Sequence, residues 1–93
     1  MVKLHWTEIA IDDLKSIHNY ISKDSKLYEE RFIEKIITRV DQLEKFPKSG
    51  RVVPEFDKPD LRELIEGNYR IIYKATATQV SILRVHHSAR QLK

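Results

Sequence analysis

Three kinds of side chain in the second half of the chain have the chemistry for proton transfer at a phosphate ester. Glu55 follows Pro54 in a predicted loop, and Arg70 lies in the middle of an apolar run. The pair His86 and His87 comes further on. A carboxylate can act as a base, a guanidinium can bind a phosphate through two hydrogen bonds, and an imidazole can donate a proton near neutral pH. Together they would suit cleavage of RNA by attack of a 2′-hydroxyl on its own phosphate, a reaction that needs no metal.

Spacing alone does not bring these side chains together, so each also has a structural interpretation. Arg70 can instead pair with Glu63 or Glu66 on a neighbouring predicted strand. The loop carboxylate can simply be solvated, and one histidine can serve as a structural hydrogen-bonding group. Because adjacent residues of a strand point to opposite faces, at most one of His86 and His87 should reach a shared site.

Other classes of site have no support in the sequence. The absence of cysteine excludes a disulfide scaffold, a thiol nucleophile and a thiolate metal site. His5 and His18 are too isolated to predict a zinc site, and no phosphate-binding or dinucleotide-binding glycine motif occurs, so we expect neither a metal nor a cofactor. No apolar run approaches the roughly 18 residues that span a membrane, and no signal-peptide pattern occurs at the N-terminus. We therefore expect a cytoplasmic protein that does not bind a membrane.

Basic residues are concentrated toward the carboxyl end of the chain. The formal net charge is +3, and from Gly67 onward there are basic residues but no Asp or Glu. This asymmetry favours a polyanionic or acidic partner, with a merely solubilising surface as the alternative. The candidate residues for binding a target or a phosphate are Arg51, Arg62, Arg70, Arg84 and Arg90.

The spacing of apolar residues predicts two helices in the first half of the chain. Val2 to Trp6 alternates apolar and polar residues, which is typical of a short strand. Thr7 can cap a helix over residues 8–22. A second apolar stripe predicts a helix over residues 26–46 that Pro47 ends. The short link between them predicts an antiparallel helical hairpin.

The second half of the chain predicts strands. Residues 51–54 form a brief extended segment, and longer strands are predicted at residues 62–66, 69–75 and 80–87. A two-residue turn joins the first two of these longer strands. The chain over residues 1–93 is therefore predicted to be one α+β domain in two layers. A short N-terminal strand and an antiparallel helical hairpin precede an antiparallel three-stranded β-meander.

Strict alternation assigns the side chains of the last two strands to faces. One face must cover the helices, and the other is available to a ligand. Within the middle strand of the meander, Tyr69, Ile71 and Tyr73 share one face, opposite Arg70. Within the last strand, the rule groups Val80, Ile82, Arg84 and His86 on one face, opposite Ser81, Leu83, Val85 and His87.

Several short motifs occur in a fixed order from about residue 4 to residue 92. They are Trp6-Thr7, Asp13-Leu14 with Ile17 and Tyr20-Ile21, Phe46-Pro47 with Gly50-Arg51 and Pro54-Glu55, Arg62-Glu63-Leu64, Tyr69-Arg70-Ile71-Ile72-Tyr73, and His86 with Arg90. Together they resemble the RelE/ParE toxin superfamily. The resemblance implies a two-layer toxin fold, a place in a type II toxin–antitoxin system, and a small antitoxin protein that neutralises the toxin by wrapping it.

The same resemblance implies one of two targets. RelE-like toxins cleave mRNA in the ribosomal A site, whereas ParE-like toxins inhibit DNA gyrase and are not nucleases. Glu55 and Arg70 match two positions of the nuclease set in the YoeB branch, and His86 or His87 lies near the third. The C-terminal aromatic residue of those nucleases is absent, and the basic tail and long helices are more similar to ParE-type toxins.

The resemblance therefore favours a gyrase inhibitor that is not an enzyme. A ribosome-dependent, metal-independent mRNA endoribonuclease is the first alternative. A non-toxic module that only binds its antitoxin is the second.

Overall fold

The predicted order of a strand, two helices and a meander is confirmed by a computed structural model, which describes residues 2–21 and 26–87. The predicted link between the helices and Arg90 lie outside the described residues. In chain order the elements are β1 (Lys3–Trp6), α1 (Glu8–Ile21), α2 (Lys26–Asp41), a short 3-10 helix (Gln42–Glu44), β2 (Arg51–Val52), β3 (Leu61–Glu66), β4 (Tyr69–Ala75) and β5 (Gln79–His87).

The strands form one mixed sheet in the order β1-β5-β4-β3-β2. The antiparallel meander of β3, β4 and β5 is as predicted, and β2 confirms the brief extended segment before it. The sequence did not predict that β1 pairs in parallel with β5, with Leu4 opposite Val80 and Trp6 opposite Ile82. None of the helices in the described residues is both long enough and apolar enough to cross a membrane.

Both helices contribute to a core on one face of the sheet. Helical spacing aligns apolar side chains along one stripe of each helix, and alternation does the same for one face of each strand. Ile36 and Val40 of α2 are completely buried in a cluster with Ile71, Tyr73 and Ile82 of the sheet. The opposite face of the sheet is called the outer face below.

The start of α1 is attached directly to β5. The hydroxyl of Thr7 accepts a hydrogen bond from the Ala10 N–H at 3.2 Å, which confirms the predicted cap. The same hydroxyl donates to the Ile82 carbonyl at 2.7 Å. Beyond the end of β1, α1 continues beside β5, and the carboxylate of Asp13 accepts the Val85 N–H at 2.9 Å. A helix side chain therefore supplies the hydrogen bond that a neighbouring strand would otherwise supply.

A β-bulge interrupts the alternation of β5. Ile72 of β4 pairs with Arg84, but the next residue, Tyr73, pairs with Ile82. Leu83 is therefore an extra residue with no counterpart on β4. An extra residue of this kind shifts every later side chain to the other face.

The bulge makes one predicted grouping wrong. Val85 and His87 share the helix-side face with Ile82, whereas Arg84 and His86 lie on the outer face. The sequence prediction had placed Arg84 and His86 with Ile82, because it assumed unbroken alternation along the strand. The correction brings His86 onto the same face as Arg70, which is its direct partner on β4.

The turn between the 3-10 helix and β2 is fixed against the sheet through Gly50. The Gly50 N–H donates to the Tyr73 hydroxyl at 2.9 Å, and the Gly50 carbonyl accepts from Arg62 at 2.9 Å. Burial raises the pKa of Tyr73, which keeps the phenol neutral. A Cβ atom at position 50 would lie 2.5 Å from the Glu63 carbonyl oxygen and 2.6 Å from the Tyr73 hydroxyl. The close approach of backbone and phenol therefore requires glycine here.

We expect Gly50→Ala to lower the free energy of unfolding by about 1 to 3 kcal/mol, the usual cost of forcing extra atoms into a packed site. Urea unfolding at neutral pH measures the change. Lys48→Ala is the matched control on the same turn, since the Lys48 side chain is exposed. This variant should change the free energy of unfolding by less than about 0.5 kcal/mol. Equal stability of Gly50→Ala and the wild type would contradict the packing described for this turn.

Candidate functional site

Four of the residues predicted for the site, Arg51, Arg70, Arg84 and His86, lie in two neighbouring rows across the outer face. Direct cross-strand pairing defines each row. One row is Arg51, Glu63, Ile72 and Arg84, and the next is Ile65, Arg70 and His86.

Arg70 is the centre of an ion-pair network. The side chain projects from the middle of β4, and the residue is only 9% exposed. Its Nε donates to Glu63 Oε1 at 2.6 Å. Its Nη1 and Nη2 donate to the two carboxylate oxygens of Glu55 at 2.6 and 2.8 Å. The predicted pairing of Arg70 with Glu63 is confirmed, and every nitrogen of the guanidinium donates to a carboxylate.

Glu63 is a buried carboxylate shared between two arginines. The residue is 1% exposed, and its second oxygen accepts from the Arg51 Nε at 2.5 Å. A carboxylate removed from water is costly unless charged partners with good geometry surround it. Arg70 on one side and Arg51 on the other meet that requirement.

A tight turn after β2 carries Glu55 to the network. The N–H groups of Phe56 and Asp57 both donate to the Val53 carbonyl, at 3.2 and 2.9 Å. Asp57 has a φ of 48°, a left-handed conformation that Asp tolerates better than most residues. Val53 is completely buried and anchors the turn, so Glu55 projects over the outer face from a fixed base.

The charges of the network perturb the titration of both partners. The hydrogen bonds from Arg70 lower the pKa of Glu55 from 4.5 to about 2. The hydrogen bonds to Glu55, followed by the one to Glu63, raise the pKa of Arg70 above its ordinary value. Glu55 and Arg70 are therefore both charged throughout the physiological pH range.

The two histidines have different surroundings. His86 is 9% exposed and lies on the outer face, directly across from Arg70. His87 faces the helices, where its ring meets that of Tyr69 edge-on with 5.0 Å between centroids. Tyr69 in turn packs against Phe32 of α2 at 5.4 Å. The structure thus brings His86, rather than His87, beside the network.

The other predicted arginines are engaged elsewhere. Arg84 pairs with Asp13 of α1 through two hydrogen bonds of 2.9 and 3.3 Å. Arg62 donates to three backbone carbonyls, those of Pro59, Lys48 and Gly50, and so ties two loops together. Arg51 belongs to the network through Glu63. Arg90 lies outside the described residues.

Sequence reasoning did not identify Asp13 as a partner of Arg84, and it named Glu63 only as one alternative partner of Arg70. Asp13 carries no local signal, because its partners are 71 and 72 positions away. Glu63 also carries little local signal, because three of the six residues of the strand Leu61–Glu66 are charged. Within residues 2–21 and 26–87, no group of three or more acidic or histidine side chains is arranged to hold a metal ion.

The fold occurs in a known class of proteins. A model of the ParE toxins of type II toxin–antitoxin systems (parDE) matches residues 4–92. The chain belongs to this ParE toxin family. Toxin RelE2 of Caulobacter vibrioides is 34% identical over 91 residues, which cover 97% of this chain and 99% of that protein.

Solved structures share the same fold. The chromosomal ParDE toxin–antitoxin system of P. aeruginosa contains a chain with a TM-score of 0.76 and 23% identity, covering 94% of this chain and 96% of that one. The RelBE2 toxin–antitoxin complex of Mycobacterium tuberculosis contains one with a TM-score of 0.65 and 20% identity, covering 92% and 96%. These similarities confirm the RelE/ParE fold that the sequence motifs implied.

The lowered pKa of Glu55 predicts a pH dependence of stability. Because the folded pKa is about 2 and the ordinary value is 4.5, the ion pair stabilises the fold above about pH 4.5 and is lost as the pH falls toward 2. We expect Glu55→Gln to have a lower free energy of unfolding than the wild type at neutral pH. The free energies of the two proteins, measured by urea unfolding at each pH, should converge near pH 2. Glu34→Gln, at an exposed position on α2, is the control and should show no such trend. A constant difference between Glu55→Gln and the wild type over this pH range would disprove the shift.

The contacts of Asp13 predict unequal effects for the two partners of its ion pair. Asp13→Ala removes the acceptor of the Val85 N–H and should lower the free energy of unfolding by about 1 to 3 kcal/mol. Arg84→Ala removes only a half-exposed ion pair and should cost less than about 1 kcal/mol. Chemical denaturation of the two variants tests this order, and a larger loss for Arg84→Ala would contradict it.

Proposed function

We propose that this chain is the toxin of a type II toxin–antitoxin pair and that it inhibits DNA gyrase by binding, without cleaving nucleic acid. The match to the ParE toxin family over residues 4–92 supports this assignment. The proposed site of action is the cytoplasm, where gyrase and DNA are found.

The observation that carries the proposal is the bidentate pairing of Arg70 with Glu55. In a nuclease of this fold, Arg70 would hold the scissile phosphate and Glu55 would be the general base. Both guanidinium Nη groups already donate to Glu55. A carboxylate with a pKa of about 2 is also a weak base at neutral pH, whereas a general base works best with a pKa near the working pH. The network is thus better suited to holding the outer face together than to proton transfer.

A second candidate function is ribosome-dependent cleavage of mRNA. Its support is the position of Glu55, Arg70 and His86 on one face of the sheet, which is the set that a RelE-like nuclease would use. The name of the relative from Caulobacter vibrioides, Toxin RelE2, is consistent with it. In this alternative a phosphate would displace Glu55 from Arg70, and the freed carboxylate would become a stronger base.

We further propose that an antitoxin protein neutralises this chain. The structures of similar fold come from a ParDE toxin–antitoxin system and from a RelBE2 toxin–antitoxin complex. The proposed antitoxin segment is partly acidic and lies over the helices and the sheet, so its association rate should fall as salt screens the attraction. A module that binds an antitoxin without being toxic is the remaining alternative.

Assays on purified gyrase and on translating ribosomes separate these functions. We expect micromolar toxin to inhibit supercoiling, and equimolar antitoxin to abolish the inhibition. Primer extension on translated mRNA should show no toxin-dependent cuts. Arg70→Ala serves as the comparison, since a nuclease would lose its cuts in this variant.

Each assay has a result that overturns the proposal. Codon-linked cuts that disappear in Arg70→Ala would establish the nuclease. Normal supercoiling and uncut mRNA, together with harmless expression without antitoxin, would leave the antitoxin-binding module.

A further inference from the structure

Glu55 binds Arg70 in the way that a separate ligand would bind it. Arg70 stands on a central strand, and its side chain is 11% exposed. Glu55 comes from a loop over the outer face, and its side chain is 41% exposed. Two parallel hydrogen bonds join the outer edge of the guanidinium to the carboxylate, which is the preferred geometry for recognising a carboxylate.

We propose that Arg70 and Arg51 form a receptor for an acidic side chain of a partner protein, and that Glu55 occupies this receptor in the free chain. The partner's carboxylate would exchange with Glu55 on Nη1 and Nη2 of Arg70. No covalent bond changes in this exchange, and Glu55 moves into solvent.

The buried half of the network permits such an exchange. The Nε of Arg70 is held by Glu63, which also binds Arg51, so the guanidinium keeps its orientation when Glu55 leaves. Arg51 and Arg70 carry two positive charges and Glu63 carries one negative charge. One positive charge remains for one incoming carboxylate.

The surroundings of the receptor favour a protein partner. Ile65 lies directly across from Arg70 on β3 and is 43% exposed. Phe56, the neighbour of Glu55, is 41% exposed. A cation beside exposed apolar side chains suits a segment in which acidic and apolar residues are close together.

A nucleic-acid strand would need a series of available cations along its phosphates. On the outer face Arg84 is paired with Asp13, and on the other face of β3 the guanidinium of Arg62 is bound to loop carbonyls. The arginines around Arg70 are therefore already engaged, and the exchangeable position proposed here is a single guanidinium rather than a row of available cations. Identifying the partner as the antitoxin rests on the proposed function, whereas the exchange itself does not.

Acetate, a minimal carboxylate, tests the receptor in the full-length chain. In ¹⁵N-labelled protein the Arg70 Nε–H resonance, assigned by its loss in Arg70→Lys, is followed during titration with acetate at constant ionic strength. We expect a saturable shift in Glu55→Ala, with an apparent affinity at least about tenfold higher than in the wild type, because the internal competitor is gone. Glu34→Ala, which removes an exposed carboxylate elsewhere, should behave like the wild type.

The design separates the possible failures. Equal affinities in Glu55→Ala and the wild type, or no saturable shift in either, would overturn the proposal. Glu55→Gln repeats the measurement with the shape of the side chain kept, in case Glu55→Ala alters the loop. A parallel titration with inorganic phosphate that binds at least tenfold more tightly than acetate would overturn the choice of a protein partner in favour of a nucleic acid. A failed gyrase assay would leave these titrations unaffected.

Discussion

The burial of the Glu63 carboxylate within the sheet constrains much of the molecule around it. A single ionised carboxylate without partners would cost several kcal/mol in this position. Arg70 and Arg51 offset that cost, and they come from different strands on either side of β3. The pairing of β2 with β3 and of β3 with β4 is therefore coupled to the same charge. In this chain of 93 residues, the ion pairs of Glu63 therefore help to set the strand register, in addition to the apolar core.

The other edge of the meander, formed by β5, is covered partly by β1 and partly by α1. β1 covers only the first half of β5, and beyond it Asp13 of α1 binds the Val85 N–H. An exposed strand edge invites association with other chains, and covering it with a helix is one of the ways in which proteins avoid this. The side chain of Asp13 both accepts a backbone N–H and binds Arg84, so an arginine that the sequence offered for binding a target is part of the framework instead.

Local patterns in the sequence were sufficient for the elements and for most of the meander. Helical spacing, the Thr7 cap and the alternation of β4 depend on neighbours within a few residues, so they can be recognised without a structure. The pairing of Arg70 with Glu63 was also accessible as one alternative, because the short turn between β3 and β4 makes Glu63 a diagonal neighbour of Arg70 on the same face.

The remaining features depend on contacts between distant parts of the chain. The parallel pairing of β1 with β5, the partners of Asp13, and the bidentate contact of Glu55 with Arg70 join segments that no local pattern relates. The bulge at Leu83 can be found only by counting residues on both strands at once. The bulge also has a consequence for comparisons between relatives. Because Leu83 has no counterpart on β4, a chain that lacked this one residue would keep His86 opposite Arg70, whereas a strand of the same length paired without a bulge would put Val85 there. Relatives aligned with a one-residue gap at this point would therefore keep the same pairing with β4, and their site composition should be compared through strand pairing rather than by counting residues along the strand.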